Sequence, residues 1–147
     1  MAVSNTTPII YLVKVERLKI LKDVYGRVYI CSPVWQDIVY LQTRRLLSPN
    51  EVFSISQARQ EWIVLQDPKE KDSIELRDEL VDMGLGLGEA YSIALAGELR
   101  TTFLANDKQA IEAAEEHGIE TRWFTEILHD ALKGNYINSV NEYIQIL

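Results

Sequence analysis

Apolar residues early in the chain fall at Ile9, Leu12, Val13, Leu18 and Leu21, with spacings of three to five. That is close to the buried stripe of a helix. Pro8 suits its first turn, Thr6 or Thr7 can cap it, and the pattern carries it to about Asp23. Residues 1–5 before it form a short strand candidate. After Gly26 the segment "RVYI" is rich in β-formers and reads as a strand. "SPVWQDIVYLQTRR" then opens a helix, with Ser32 as cap and Pro33 at the start. Residues 48–60 give a further short helix introduced by Ser48-Pro49, "WIVLQ" a strand, and "KDSIELRDELVDM" a charged amphipathic helix.

The second half continues the alternation. "GLGLGEAYSIALAGELR" begins a mostly buried helix near Glu89, and "TTFLAND" is a strand ending in polar residues. "KQAIEAAEEHG" is its helix, "IETRWF" a short extended piece, and helices at roughly 125–133 and 138–146 finish the chain. No two strands are joined by a hairpin signal. The pattern predicts the α/β class, a sandwich with a mainly parallel central sheet. At 147 residues, a single domain over 1–147 is expected.

Composition narrows the function classes. With 47% apolar and 25% charged residues the chain reads as a soluble globular protein. Its apolar runs fall well short of a membrane span, and its start lacks a signal-peptide pattern. A single cysteine, Cys31, leaves no disulfide framework and no cysteine zinc site. A cytoplasmic, reducing setting without a membrane partner is the expectation. The net charge of −7 argues against a general nucleic-acid coating protein. It leaves open a nuclease that holds its metal with carboxylates, because the ion inverts the local field.

In parallel sheets ligands gather beyond the carboxyl ends of the strands. Strand one ends at Asn5-Thr6-Thr7, and "TFLA" at Asn106-Asp107. Asp37 and Glu89 lie near helix starts. Three acids and an amide from four segments could converge on one pocket, where hard cations such as Mg2+ or Mn2+ take oxygen ligands. Simpler roles fit the same residues. Asn5, Thr6 and Asp107 are good helix caps, Glu89 suits a helix N-terminus, and a helical Asp such as Asp37 is commonly a solvated face residue. The glycines of "GLGLG" follow a helix and lack the Lys-Ser/Thr of a nucleotide loop, so a helix end and restart explain them. His117 and His129 have no nameable nucleophile or metal partner. Lys14, Arg17, Lys22, Arg44 and Arg45 are candidate phosphate contacts, and a scattered solvated face accounts for them equally well.

The order and spacing of "VSNTTPIIYLVKVERLKILKDVYGRVYICSPVWQDIV", "LGLGEAYSIALAGEL" and "FLANDKQAIEAAEEHGI" resemble a PIN-domain ribonuclease, most of all the VapC toxin type. The likeness is weakest over residues 40–80 and beyond 121. It implies a three-layer α/β/α sandwich and an endoribonuclease hydrolysing RNA phosphodiesters with Mg2+ or Mn2+. Carried over by position, the family's four acids fall on Asn5, Asp37, Glu89 and Asp107. Asp37, Glu89 and Asp107 would be catalytic, and all four would be metal ligands. Thr6 or Thr7 would orient the site, Asn106 stands where relatives often have another acid, and Glu126 is a candidate accessory acid. Asn5 departs from the pattern by one negative charge, so a degenerate PIN-fold binding module is the alternative. The resemblance also implies a cognate antitoxin. A homodimer through Tyr136, Ile137, Tyr143, Ile144 and Ile146 is a further expectation. A receiver-like phosphoacceptor domain fits less well, because Asn5 supplies no acid pair.

Overall fold

A computed structural model describes residues 1–137 together with 142, 145 and 146. Five strands form one sheet: β1 (Ala2–Ser4), β2 (Val28–Ile30), β3 (Ile63–Leu65), β4 (Thr102–Ala105) and β5 (Thr121–Trp123). Their order is β3-β2-β1-β4-β5, and every pairing is parallel. Among the described residues eight helices connect or follow them. These are α1 (Thr6–Lys14), α2 (Lys19–Tyr25), α3 (Ser32–Thr43), α4 (Pro49–Glu61), α5 (Lys71–Asp82), α6 (Leu87–Leu99), α7 (Lys108–Glu116) and α8 (Phe124–Lys133).

Strand alternation explains the three layers. Ala2 and Leu104 point into one apolar cluster with Val28, Ile30 and Ile63, packed against α1, α2, α4 and α8. Val3, Phe103 and Ala105 point the other way, into a cluster built from α5, α6 and α7. Successive residues of a strand face opposite sides, so a sheet covered on both faces needs nearly continuous apolar strands. The pattern of β4, buried from Phe103 through Ala105, fits that requirement. None of the described helices is long and apolar enough to cross a membrane.

Two local expectations change. The first helix is not continuous to Asp23: it stops at Lys14, and Glu16 takes a left-handed φ of 59° before α2 starts. The apolar stripe continues through the break because Leu18 is still buried, so periodicity alone conceals it. Ser32 does not cap α3; Cys31 holds the N-cap position and Ser32 is the first helical residue. The Ser32 hydroxyl instead donates to Asp67 Oδ2 at 2.6 Å, beyond the end of β3. Ser48 does cap α4, in a reciprocal box with Glu51. The expected helix at 138–146 lies largely outside the described residues.

The chain leaves β1 toward β2 and β3 on one side, then returns to β4 and β5 on the other. The reversal falls between β1 and β4, and in open α/β sheets ligands bind beyond the carboxyl ends of the strands at such a reversal. Asn5 follows β1 directly, and Asn106 and Asp107 follow β4. The Asn5 N–H donates to Leu104 O at 2.9 Å and ties the two strand ends together.

Candidate functional site

Asn5 holds the N-cap position of α1 with extended backbone (φ −76°, ψ 176°), yet its side chain makes no capping hydrogen bond. It is only 6% exposed. A nearly buried amide that leaves the helix N–H groups alone is poorly explained as a cap. Its direction is given by Gly88, in the first turn of α6. A Cβ there would lie 3.4 Å from Asn5 Oδ1, 3.5 Å from Val34 Cγ2 and 3.6 Å from Asp37 Oδ2. Oxygens from the β1–α1 junction and from α3 therefore both lie beside one small residue.

Asp37 reaches that point because α3 buries Val34 and Ile38 and turns its neighbouring face outward. Val34 and Asp37 are three apart and share an edge of the helix. Thr6 Oγ1 donates to Asp37 Oδ2 at 3.1 Å, which fixes the carboxylate against the start of α1. Thr7 lies in the same first turn.

Glu89 is the acid in the first turn of α6 and is half-buried. Its carboxylate folds back over the helix start, so that a Cβ at Gly86 would lie 2.5 Å from Glu89 Oε2. Gly86 carries an N-cap backbone there, with φ −64° and ψ 159°, and the preceding helix has already ended. Helix end and restart thus account for "GLGLG". Asp107 caps α7: its Oδ1 accepts the Ala110 N–H at 2.8 Å. Asn106, beside it, is exposed.

Asn5 and Asp37 lie beside the start of α6, which carries Glu89, and Asp107 follows β4, the strand next to β1. Among the described residues no three Asp, Glu, His or Cys side chains gather closely enough to hold a metal. Beside Gly88 lie one amide oxygen and one carboxylate oxygen, with Glu89 next along α6. This all-oxygen donor set suits Mg2+ or Mn2+ in kind, and such ions commonly keep several waters beside a few protein ligands.

The remaining expected residues lie elsewhere or are engaged. Glu126 Oε1 accepts the Trp123 N–H at 3.0 Å and its Oε2 pairs with Arg122 at 3.2 Å, so it serves the start of α8. Lys14 pairs with Glu51 at 2.9 Å and donates to Leu46 O at 2.6 Å. Arg17 pairs with Glu142 at 3.2 Å. Arg44 stacks over Tyr40 at 5.9 Å, and Arg45 is exposed with a left-handed φ of 58°. Ile137 and Ile146 are buried in the apolar cluster of α1 and α8, whereas Tyr136 is 48% exposed. Tyr143 and Ile144 lie outside the described residues.

Two features escaped sequence reading. Gly88, beside the two oxygens, has no local signal, since it sits among helix-start glycines. Asp67 does have one, a polar residue just past the carboxyl end of a strand. No curated protein matches the sequence. A family model described as a PIN domain matches residues 1–147. With its all-parallel sheet, the chain belongs to the PIN-domain family.

Proposed function

We propose that the protein is a metal-dependent endoribonuclease of the toxin–antitoxin type, acting through Asn5, Asp37, Glu89 and Asp107. Family membership supports a nuclease-type fold. The observation that carries the site is the approach of Asn5 Oδ1 and Asp37 Oδ2 to Gly88, at the sheet's switch point. These two residues, with Glu89 and Asp107, would hold Mg2+ or Mn2+. When bound, such an ion supplies Lewis-acid neutralisation of a phosphodiester's charge.

The chain's own groups have separable tasks in this reading. Thr6 holds the Asp37 carboxylate in place by its hydroxyl bond. Gly88 presents no side chain toward the two oxygens, and an alanine methyl there would lie in van der Waals contact with both. Glu89 and Asp107 sit at helix N-termini, places that suit negative charge. Asn5 contributes an oxygen without a charge, so the site carries one negative charge fewer than a four-acid arrangement. A cognate antitoxin, a cytoplasmic location and a homodimer belong to the same proposal. For the dimer, Tyr136 is the exposed member of its proposed surface among the described residues.

The test is RNA cleavage by the purified protein in Mn2+, compared with Glu89→Gln. A loss of about 100-fold or more is expected for a residue in the reacting site. Unchanged cleavage would remove Glu89 from the site.

The second reading is a PIN-fold binding module with little or no nuclease activity. It is favoured by the amide at Asn5 and by the absence of a close three-acid group among the described residues. It predicts no Mn2+ binding by calorimetry, and micromolar Mn2+ binding would count decisively against it.

A further inference from the structure

Next to the candidate site lies a cleft of about 450 Å3 between α1, the ends of β4 and β5, and Ile146. We propose that it receives one unpaired base of a single-stranded RNA, with Tyr11 as the stacking surface. The proposal rests on the reading that the chain acts on RNA. It adds where the strand is gripped and why an unpaired strand is preferred.

The cleft is assembled by spacing. Tyr11, Lys14 and Val15 lie at i, i+3 and i+4, so they share one side of α1 and its end. Asn106 follows β4, and Phe124 opens α8 directly after β5. The cleft therefore lies at the same carboxyl edge of the sheet as Asn5, and Asn106 is joined directly to Asp107. Phe124 is 5% exposed and meets Tyr11 edge-to-face, with ring centres 5.2 Å apart and planes at 85°. That contact orients the Tyr11 ring while leaving the residue 46% exposed. An aromatic ring already held in place loses little side-chain entropy when a base stacks on it.

The polar groups match a nucleotide. Asn106 is exposed and its amide offers both donors and an acceptor, suited to a base edge or a ribose hydroxyl. Lys14 uses two partners, Glu51 and Leu46 O, and an ammonium has three protons. Its side chain is 43% exposed, so the third can face a phosphate. The volume lies in the range of about 300–1,000 Å3 common to small-ligand pockets. A paired base is already stacked and cannot enter, whereas single strands bind proteins by laying bases on aromatic rings.

Binding is read without turnover, by fluorescence anisotropy of end-labelled oligouridylate, oligoadenylate and an RNA duplex, in EDTA and in Ca2+. Tyr11→Ala is expected to weaken single-strand binding about tenfold and duplex binding little, the size typical of one lost base stack. Tyr11→Phe should bind like the wild type. Tyr11→Leu keeps an apolar contact for Phe124 and removes the ring, so it should behave as Tyr11→Ala does even if the alanine variant folds poorly. Asn106→Ala should alter the preference between the two homopolymers. Wild-type affinity in both Tyr11→Ala and Tyr11→Leu would overturn the cleft assignment, as would equal weakening on duplex. If the wild type binds no RNA at all, the RNA reading falls with it. Loss of cleavage in Glu89→Gln with this binding pattern intact would separate the reacting site from the cleft.

Discussion

The Thr6 hydroxyl donates to Asp37 Oδ2 at 3.1 Å, joining the first turn of α1 to the middle of α3. It is an exposed bond, so its net worth to stability is small, about 1 kcal/mol or less. Its worth to a metal site is larger, since partners that orient a ligand typically carry about 10–100-fold in metal affinity. Thr6→Val keeps the branched shape and removes the donor. It should leave the urea midpoint nearly unchanged and weaken Mn2+ binding about tenfold, while Thr6→Ser should restore it. A parallel loss of stability and binding in Thr6→Val would mean that the hydroxyl serves folding alone.

Asn5 offers the opposite manipulation. Asn5→Asp places a carboxylate facing Asp37 over Gly88, where both residues already direct an oxygen. Two like charges beside one residue repel, so the metal-free variant should be less stable at neutral pH than the wild type, by about 1 kcal/mol. A divalent ion would reverse that sign. Mn2+ should bind Asn5→Asp at least about tenfold more tightly and raise its melting temperature more than it raises the wild type's. Equal Mn2+ affinities measured by calorimetry would exclude this position from the ligand set.

Sequence pattern located the inner strands well because they are short apolar runs between polar punctuation, as at "TFLA" before Asn106-Asp107, whereas the edge strand β5, Thr121-Arg122-Trp123, showed only as a short extended piece. The helix starts with strong chemistry were equally legible, Ser48 with its box and Asp107 with its cap among them. The break between Lys14 and Lys19 was not, because its residues continue the apolar stripe while the backbone turns at Glu16. Asn5 shows the limit most clearly. Its residue type and place before a helix both suggest a cap, and only the side-chain direction toward Gly88 and Asp37 distinguishes the other role. Lys14 and Glu126 illustrate a related limit: charge is visible in a sequence, but not the partner that engages it.

A buried thiol and a half-buried phenol give the protein an alkaline weakness. Burial, reinforced by the Asp67 charge, pushes the Cys31 thiol up to about 12. Burial and then Asp130 raise the Tyr25 hydroxyl far above its ordinary value, against the opposing charge of Arg122. Ordinary values are about 8.5 for cysteine and about 10 for tyrosine. In both cases the folded state favours the neutral form. The unfolded chain therefore releases these protons first as pH rises, and stability falls. The contribution is fully present below about pH 8. For Cys31 it is lost from there up to about 12. Urea melts at increasing alkaline pH should show a declining midpoint, and Cys31→Ala should flatten the first part of the decline. Native Cys31 should also react slowly with thiol reagents at neutral pH, since the thiolate is the reactive form. Rapid labelling of the folded protein would contradict the buried thiol.

The pairing of Asp67 with Ser32 ties the end of β3 to the start of the helix that carries Asp37. Asp67 Oδ1 accepts the Ser32 N–H at 2.7 Å and Oδ2 accepts the Ser32 hydroxyl at 2.6 Å. Both bonds go to a carboxylate in a partly buried place, where charge-assisted bonds are worth about 1.5–3 kcal/mol. Asp67→Ala leaves a helix-start N–H and a hydroxyl without their acceptor, and should cost about 2 kcal/mol in a urea melt. Asp67→Asn keeps a carbonyl oxygen for one of the two and should fall between. The two variants share a second effect, because the Asp67 charge is also a cause of the raised Cys31 thiol. Removing it should bring that thiol down and speed its labelling at alkaline pH, beyond what the lost stability explains. Asp67→Asn is the sharper case, since it removes the charge with little change of shape. If its labelling rate tracked global unfolding alone, the electrostatic link between Asp67 and Cys31 would be refuted, and the pair with Ser32 would stand as a purely structural clasp.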